Sequence, residues 1–588
     1  MRNIKFEFSC SRPVPLYAHL CNQYLHRGSL DIKIGFHNLT YFIEAKGDLH
    51  SLEVLADSIA QDFLISVWLI DAKITLLESS MGTSKHLDNA KIEQEFCQQC
   101  VPQFGDNQSL KFGELSLHCE CCHGSNRLQE AHIGLSYLDI SSMLEILNTK
   151  GTIKLPGKPS ITLSLTSLEK TDREQLLICN PNTINALFYL KKHDVLALSS
   201  IEKPWIMARP INDQPKLTEP LYNIRFAHSR LLIVLCERLK QHGTDWVYYS
   251  SEETEPALVR LHSAWSQIRG KVINKQVLLP FHKLPTPLHE KASAYNITAT
   301  CQYTEISCNQ HSAEAESLAD SLEISPQDAA VCALHAGILE HKQKTNIAVI
   351  YLSQHYNCQI LTLNNKRNIE LFFTFPDLPS TGYNIYYQLE QSPHKQVVEK
   401  FKHKYPQDYL RLLDLKFTGP TNNFSTLWAI AATILGLPSK KSSKDALNDA
   451  LMSAAMSHGR SNSPRIDYPL IKNKTHKGLN WCKTLGSLIS FRLADDSNNP
   501  SLAFGMFDSL ADFIANWIEH LDRNIGIHSL ILAGDELANP ILSHRLSLRL
   551  GNNFPLNVNR QLDIDGNNIA IGGLYLKKRR RYLSEKNI

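Results

Sequence analysis

Hydrophobic and polar residues alternate along the first 70 residues in a pattern that predicts four strands and two helices. The strands are predicted at Ile4–Phe8, Leu30–Phe36, Thr40–Lys46 and Val67–Ile70, and the helices near Leu16–Leu25 and Ser51–Ile65. The resulting order, β-α-β-β-α-β, is that of a split βαβ unit. We therefore expect a small α+β domain over residues 1–85.

The remaining chain reads as alternating helices and strands, which is typical of α/β architecture. Helices are predicted at Leu231–Gln241, Leu427–Leu437 and Ala503–Leu521, and buried strands at Thr345–Leu352 and His528–Ala533. A proline-bearing segment, Leu279–His289, divides this part of the chain. The predicted fold class is an α+β / α/β multidomain chain with units at 1–85, 90–128, 130–285 and 290–588.

The chain length and the balance of charged residues restrict the classes of protein to which this sequence can belong. The 588 residues exceed what one hydrophobic core usually holds. The 61 basic and 58 acidic residues are nearly balanced, which argues against a chain-wide nucleic-acid surface. No run reaches the ~18–20 apolar residues of a membrane span, and the N-terminus reads as a strand rather than a signal peptide. We expect a cytoplasmic protein without a membrane partner.

Five of the fourteen cysteines fall within residues 97–122. Cys97 and Cys100 form one C-x2-C pair, and Cys119 and Cys122 form a second pair eighteen residues later. Each pair makes a turn that directs two thiolates at one centre, and two pairs complete a tetrahedral zinc site. Four protein ligands leave no position for a substrate, so the predicted zinc is structural.

Two alternatives to this ligand set remain open at the level of sequence. Cys121, His118 and His123 lie close enough to compete for the fourth ligand position. The cysteines would alternatively be buried free thiols, which the paired spacing disfavours.

The order of these parts resembles the HypF family, the carbamoyltransferases of nickel–iron hydrogenase maturation. The run Ile531–Leu542 resembles the family's L-S-G-G-V-F-Q-N-x-x-L, and Asp565–Gly572 resembles its N-D-G-G-I-A-L-G. Leu427–Leu437 resembles the family's helix L-F-D-A-V-A-A-L-L-G-L. The resemblance implies an acylphosphatase-like domain, zinc fingers, a YrdC-like domain and a Kae1-like domain of the actin-like ATPase superfamily.

The positions that carry the family's chemistry in the acylphosphatase-like and YrdC-like domains differ here. The acylphosphatase loop needs glycines whose amides cradle a phosphate, but Phe8–Pro13 has none. Arg12 is therefore predicted to be a surface cation. In the YrdC-like region, Lys170–Gln175 and Tyr248–Pro256 are poor matches to the family's motifs, and Tyr249, Glu252 and Glu253 would disfavour a triphosphate.

The Kae1-like region has also lost its expected ligands. The family's three metal-binding histidines align with Ala333, Leu334 and Gly337, and His335 is predicted to be an ordinary helix histidine. Its phosphate loop D-G-T-G-Y-G is replaced by Leu352–Asn357. Its last metal-ligand aspartate aligns with Gly566. We assign no catalytic and no cofactor-binding residue, and the metal ligands remain Cys97, Cys100, Cys119 and Cys122.

These observations predict a divergent HypF-like protein with degenerate catalytic motifs, which leaves its enzymatic status open. The favoured hypothesis is a noncatalytic accessory protein, a pseudoenzyme, that binds hydrogenase maturation proteins or the hydrogenase large subunit. One alternative is an active carbamoyltransferase that uses ATP and carbamoyl phosphate. A second is a tRNA-modification protein of the YrdC/Kae1 type, which the formal charge of +3 disfavours.

Overall fold

A computed structural model describes most of the chain. The described residues are 2–26, 30–76, 80–88, 90–92, 94–168, 173–211, 216–252, 257–268, 276–279, 295–299, 304–308, 328–341, 345–459, 462–472, 476–495, 498–566, 568–569 and 572–573. They divide into two compact units. Unit 1 comprises residues 1–217 with 222–257, and unit 2 comprises residues 218–221 with 258–588.

Unit 1 begins with the predicted split βαβ domain, and this prediction is confirmed. The elements are β1 (Arg2–Cys10), α1 (Pro15–Tyr24), β2 (Asp31–His37), β3 (Thr40–Gly47), α2 (Leu49–Asp62) and β4 (Leu69–Leu76). They form an antiparallel sheet in the order β2-β3-β1-β4. Alternate β1 residues such as Phe6 and Phe8 are buried beneath the helices, as the period of two requires. The last strand runs six residues further than predicted, because its apolar residues continue beyond Ile70.

The rest of unit 1 is a mixed sheet with helices around it. Its helices are α3 (Val101–Phe104), α4 (Tyr137–Lys150), α5 (Ile184–Leu187), α6 (Lys192–Ser199) and α7 (Arg230–Gln241). Its strands are β5 (Thr152–Leu155), β6 (Ile161–Ser164), β7 (Gln175–Ile178), β8 (Phe188–Tyr189), β9 (Ile206–Pro210), β10 (Tyr222–Phe226) and β11 (Trp246–Ser251). The strand order is β5-β6-β11-β7-β10-β9-β8. Helix α7 matches the predicted helix and begins at an N-cap, Ser229, that accepts from the Leu232 amide.

Unit 2 has its own mixed sheet. Its first elements are β12 (Leu258–Leu261), β13 (Ala264–Gln267), β14 (Gln276–Leu279), β15 (Tyr295–Ala299), β16 (Thr304–Cys308), α8 (Ala329–His341), β17 (Ile347–Tyr351), β18 (Gln359–Leu363) and β19 (Ile369–Thr374). Helices α9 (Gly382–Glu390), α10 (Lys395–Lys404), α11 (Pro406–Leu413), α12 (Phe424–Ile434) and α13 (Lys444–Ser457) follow. The last elements are β20 (Leu470–Lys472), β21 (Lys477–Leu479), α14 (Trp481–Ala494), α15 (Asn499–Ile525), β22 (Ser529–Ala533), α16 (Pro540–Leu550) and β23 (Leu556–Val558).

The core of unit 2 sits on the central strands of this sheet. The strand order is β20-β21-β19-β18-β17-β22-β23, and β17 pairs in parallel with β22. Every residue of β17, β18 and β22 is buried, which agrees with the continuous apolar runs that predicted them. Helix α8 packs so closely on β22 that a Cβ at Gly337 would lie 2.6 Å from the Ile531 side chain. The α+β / α/β class is therefore confirmed.

Candidate metal centre and the expected catalytic positions

Two turns bring the four predicted cysteines together. In the first turn, the Cys97 amide donates to the Cys100 thiol over 3.2 Å and the Val101 amide donates to the Cys97 carbonyl. In the second turn, the His123 amide donates to the Cys119 carbonyl over 2.9 Å. Each turn curls its chain so that both of its thiols face the same point. The C-x2-C spacing is what makes this curl available.

The distances between the sulfur atoms suit a tetrahedral metal ion. The Cys97 Sγ lies 3.9 Å from the Cys100 Sγ and 3.7 Å from the Cys119 Sγ, and the Cys100 Sγ lies 3.8 Å from the Cys122 Sγ. All four ligand atoms lie within 4.8 Å of one another. A tetrahedral zinc with bonds of ~2.3 Å separates its sulfur ligands by about 3.8 Å. The four thiols therefore lie close to the arrangement that one tetrahedral ion requires.

The competing ligands are not part of the group whose ligand atoms all converge, although the Cys121 side chain lies beside that of Cys97. Among the described residues, the group whose ligand atoms converge contains Cys97, Cys100, Cys119 and Cys122 and does not include Cys121, His118 or His123. The rings of His118 and His123 are 5.8 Å apart at their centroids. The group of converging ligand atoms thus consists of the two C-x2-C pairs, as their spacing predicts.

Arg230 connects the cysteine centre to helix α7. Its side chain is fully buried, and its guanidinium donates to the carbonyls of Glu95, Leu115 and Leu117. One of its Nη atoms also lies 3.9 Å from the Cys100 Sγ. A cation at this position stabilises a thiolate and holds both cysteine-bearing segments against one helix. Arg230 was not predicted as part of the site, although an arginine at the start of the apolar run Leu231–Cys236 is a signal for it.

The expected acylphosphatase loop uses backbone amides for hydrogen bonds within the fold. The Cys10 amide donates to the Leu39 carbonyl, the Ser11 amide to the Trp68 carbonyl, and the Val14 amide to the Tyr41 hydroxyl. Pro13 has no amide hydrogen at all. Two amides of this loop, those of Cys10 and Ser11, are therefore already engaged within the fold, and so is the Val14 amide that follows it.

The prediction that Arg12 is a surface cation is wrong. The residue is 2% exposed, and its guanidinium carbon lies 3.7 Å from the centroid of the Trp68 ring. Stacking on an aromatic face lets the planar guanidinium be buried, which a reading of local sequence does not reveal.

In the region expected to be YrdC-like, Tyr249 and Glu252 have different surroundings. Tyr249 is 3% exposed and packs edge-to-face against Trp205, with ring centroids 5.1 Å apart. Glu252 is exposed and pairs with Lys154 over 3.0 Å. The Tyr249 side chain is thus packed in the hydrophobic core and does not block a nucleotide pocket. Glu253 and the Glu-Pro pair at 255–256 lie outside the described residues.

In the region expected to be Kae1-like, buried carboxyl groups lie beside the segment that replaces the phosphate loop. Both oxygens of Asp565 accept hydrogen bonds, one from the Tyr351 hydroxyl over 2.6 Å and one from the Ser353 hydroxyl over 2.7 Å. Glu536 accepts from the amide and the hydroxyl of Ser425. Burial raises the pKa of Glu536 to about 8, and the neighbouring carboxylate of Asp535 acts in the same direction.

The backbone of the replaced loop is likewise engaged. The Gln354 amide donates to the Asp535 carboxylate over 2.8 Å, and the amides of His355 and Tyr356 lie 3.1 and 3.2 Å from the Ser353 hydroxyl. The His355 ring contacts Asp535 at 3.1 Å. A nucleotide phosphate in this loop would have to displace these contacts and lie beside buried carboxyl groups, which opposes anion binding.

The expected metal-binding helix carries no ligand at its three aligned positions. Ala333, Leu334 and Gly337 are buried in the interior of unit 2 on α8. His335 is 3% exposed on the same helix. Gly534 has a φ of 101°, and a Cβ there would lie 2.0 Å from the Leu352 carbonyl oxygen. This glycine is therefore required by the backbone alone.

Comparison with known proteins identifies the fold. Two HypF structures match almost the whole chain at 10% identity: full-length HypF in its phosphate- and nucleotide-bound form, with a TM-score of 0.57 and 98% of both chains covered, and T. kodakarensis HypF, with a TM-score of 0.63 and 98% and 99% covered. The chain has the HypF fold. The resemblance seen in the sequence motifs is thereby confirmed at the level of structure.

The sequence similarity to known proteins is more limited. Over 166 residues the chain is 29% identical to Protein HydE of Wolinella succinogenes. This stretch is 28% of the present chain and 30% of HydE, so the match spans less than a third of that protein's length. No family model matches the chain.

Proposed function

We propose that this protein is a noncatalytic accessory factor in nickel–iron hydrogenase maturation that acts by binding another protein. The HypF fold and the similarity to HydE support the pathway. A fold can persist when its activity is lost, so the chemistry has to be argued from the sites themselves. The cysteine cluster would hold one structural zinc through Cys97, Cys100, Cys119 and Cys122.

The noncatalytic proposal rests on one observation. Backbone amides that were expected to bind phosphate donate hydrogen bonds to other groups of the protein. The amides of Cys10 and Ser11 in one region, and of Gln354 in another, donate to groups within the fold. Transfer of a carbamoyl or adenylyl group needs donors and cations aimed at developing negative charge. Here the second of these regions has the Asp535 carboxylate buried beside the loop instead.

The proposed partners are the hydrogenase large subunit or another maturation protein. Such partners place the protein in the cytoplasm. Within the described part of the chain, no helix has the length and apolar character needed to cross a bilayer. Loss of catalytic groups together with retention of the packed cores fits a fold that is kept for recognition.

Two other functions remain as alternatives. An active carbamoyltransferase would need ATP and carbamoyl phosphate to bind despite the carboxyl groups described above. A tRNA-modification protein would need a basic surface, and the formal charge of +3 on 588 residues offers little net attraction to RNA.

Deletion and complementation in the native host test the proposal. We expect deletion to abolish nickel–iron hydrogenase activity and the wild-type gene to restore it. His355→Gln changes an exposed side chain at the replaced phosphate loop and should complement fully, because no reaction depends on it. Cys100→Ser should fail to complement, because it removes a ligand of the structural metal.

Three results would contradict the proposal. Normal hydrogenase activity in the deletion strain would exclude the pathway. Failure of His355→Gln, with the variant protein present at wild-type level, would point to residual chemistry at that loop. Specific capture of tRNA by the purified protein, persisting at physiological salt, would favour the tRNA alternative.

A further inference from the structure

Strand β4 forms an edge of the N-terminal sheet and exposes an apolar row. Ile70, Ile74 and Leu76 are 52%, 62% and 77% exposed. Ile74 lies opposite Phe6, which is 3% exposed, so both side chains are on the helix-covered face of the sheet. Helix α1 contacts β2 and β3 and helix α2 contacts β3, whereas these three β4 side chains remain exposed. Exposed aliphatic residues on an unpaired edge are a ready template for another strand.

The opposite edge of the same sheet is covered by the chain itself. Ile34 of β2 exchanges two backbone hydrogen bonds with Thr83, over 3.0 and 2.9 Å. Glu44 holds this covering segment through the Ser80 hydroxyl and the Gly82 amide. Among the described residues, no strand pairs with the outer side of β4. The fold therefore protects one edge and leaves the other available.

The hydrogen bonds within the sheet show which β4 residues face outwards. The Cys10 amide donates to Leu39 on the β3 side, so even-numbered residues of β1 face β3 and odd-numbered residues face β4. Glu7 is paired with Lys73 across the two strands. The backbone amides and carbonyls of the odd-numbered β4 residues thus point to β1. Ala72, Ile74 and Leu76 direct theirs to the free edge.

Charge selects one way of pairing two β4 strands about a two-fold axis. Residues whose backbone groups point to the free edge must lie opposite such residues of the second copy, because only then can hydrogen bonds form between the two strands. A two-fold axis at Asp71 or at Lys73 would bring like charges together. An axis at Ile70 or Ile74 would form no ion pair. An axis at Ala72 places Asp71 of each copy opposite Lys73 of the other, at positions where side chains come closest.

We propose that β4 is a homodimerisation edge in which two copies of this chain pair antiparallel about Ala72. The Ala72 amides and carbonyls of the two copies bond reciprocally. The register of β4 against β1 passes over Ile70, so the regular pairs of the interface are those from Asp71 to Lys73. Lys73, which already contacts Glu7 at 3.3 Å, comes to lie between that carboxylate and Asp71 of the second copy. The two four-stranded sheets become one continuous sheet.

Charge reversal tests both the interface and its register. The full-length protein is studied by sedimentation velocity between about 1 and 100 µM, a range that resolves micromolar dissociation constants. Asp71→Lys and Lys73→Asp should each weaken dimerisation by roughly tenfold or more, since each creates two like-charge contacts. The double variant Asp71→Lys/Lys73→Asp should restore it. Asp31→Lys, on the covered edge strand β2, is the matched control and should leave the dimer unchanged.

A second variant addresses the backbone contacts. Ala72→Pro removes an amide that faces outwards, so it should abolish the dimer while the fold survives, as circular dichroism and the thermal midpoint will report. A wild-type protein that stays monomeric over this range would overturn the proposal. A dimer that persists in Ala72→Pro, or that the double variant fails to restore, would show that the copies associate elsewhere and would equally overturn it.

Discussion

Replacing Arg230 with methionine should destabilise unit 1 and loosen the cysteine centre. The guanidinium is the shared donor for the Glu95, Leu115 and Leu117 carbonyls and also lies against the Cys100 thiol. Methionine fills much of the same volume but donates no hydrogen bond. Three buried carbonyls would therefore lose a partner, and the segments that carry the cysteines would lose their common attachment to α7.

The expected magnitude follows from these contacts. A buried polar group left without its partner costs about 1–3 kcal/mol, and the lower figure applies where water can reach the carbonyl. Three such groups give a loss of about 3–5 kcal/mol in the free energy of unfolding of unit 1. For a unit of this size, a loss of 1 kcal/mol lowers the midpoint by roughly 2–4 °C, so a decrease on the order of 10 °C is expected.

Two assays check this prediction together. Thermal unfolding of the zinc-loaded full-length protein gives the midpoint, and a chromogenic chelator gives the rate at which zinc is released. Arg238→Met on the same helix is the control, because Arg238 contacts Gln241 and the Tyr137 ring rather than the cysteine segments. An Arg230→Met protein whose midpoint and zinc-release rate both match those of the control would refute the role given to this residue.

Three further perturbations test other parts of the structure. Cys100→Ser should lower bound zinc, measured by elemental analysis, from one ion per chain to none, whereas Cys482→Ser should retain it; retained zinc in Cys100→Ser would contradict the ligand set. Burial raises the pKa of Glu536 from 4.5 to about 8, so its contribution to stability is present below pH 4.5 and is lost as pH rises through about 8. Glu536→Gln should therefore flatten the decrease in unfolding free energy between about pH 6 and 8 in urea titrations, and an unchanged slope would contradict the assignment. Gly337→Ala should cost about 1–3 kcal/mol because its methyl group would meet a β22 side chain, whereas Gly459→Ala, which meets nothing within 4 Å, should cost little; equal stabilities would argue against the close packing of α8.

Local patterns predicted those features that depend on neighbouring residues in the chain. The C-x2-C pairs specify two turns, and two turns of this kind suffice to define four ligands. The period of two in β1 and the continuous apolar run of β17 likewise follow from burial on one or both faces of a sheet. These elements appear in the structure close to their predicted positions.

Features that depend on distant residues were missed. Arg12 is buried because Trp68, more than fifty positions away, provides a ring on which it stacks. Asp565 accepts from Ser353 across 212 positions, and Glu536 from Ser425 across 111. Local sequence pattern carries no information about such partners, so the buried carboxyl groups of unit 2 could not be predicted from it.

Pyrophosphate release tests the central claim most directly. The zinc-loaded full-length protein is incubated with ATP, magnesium and carbamoyl phosphate, with an active carbamoyltransferase of the HypF family in the same buffer as positive control. We predict that the protein releases no more pyrophosphate than a reaction without enzyme. Release above that background that depends on carbamoyl phosphate and is abolished by Asp565→Asn, in protein shown to be folded, would contradict the noncatalytic account.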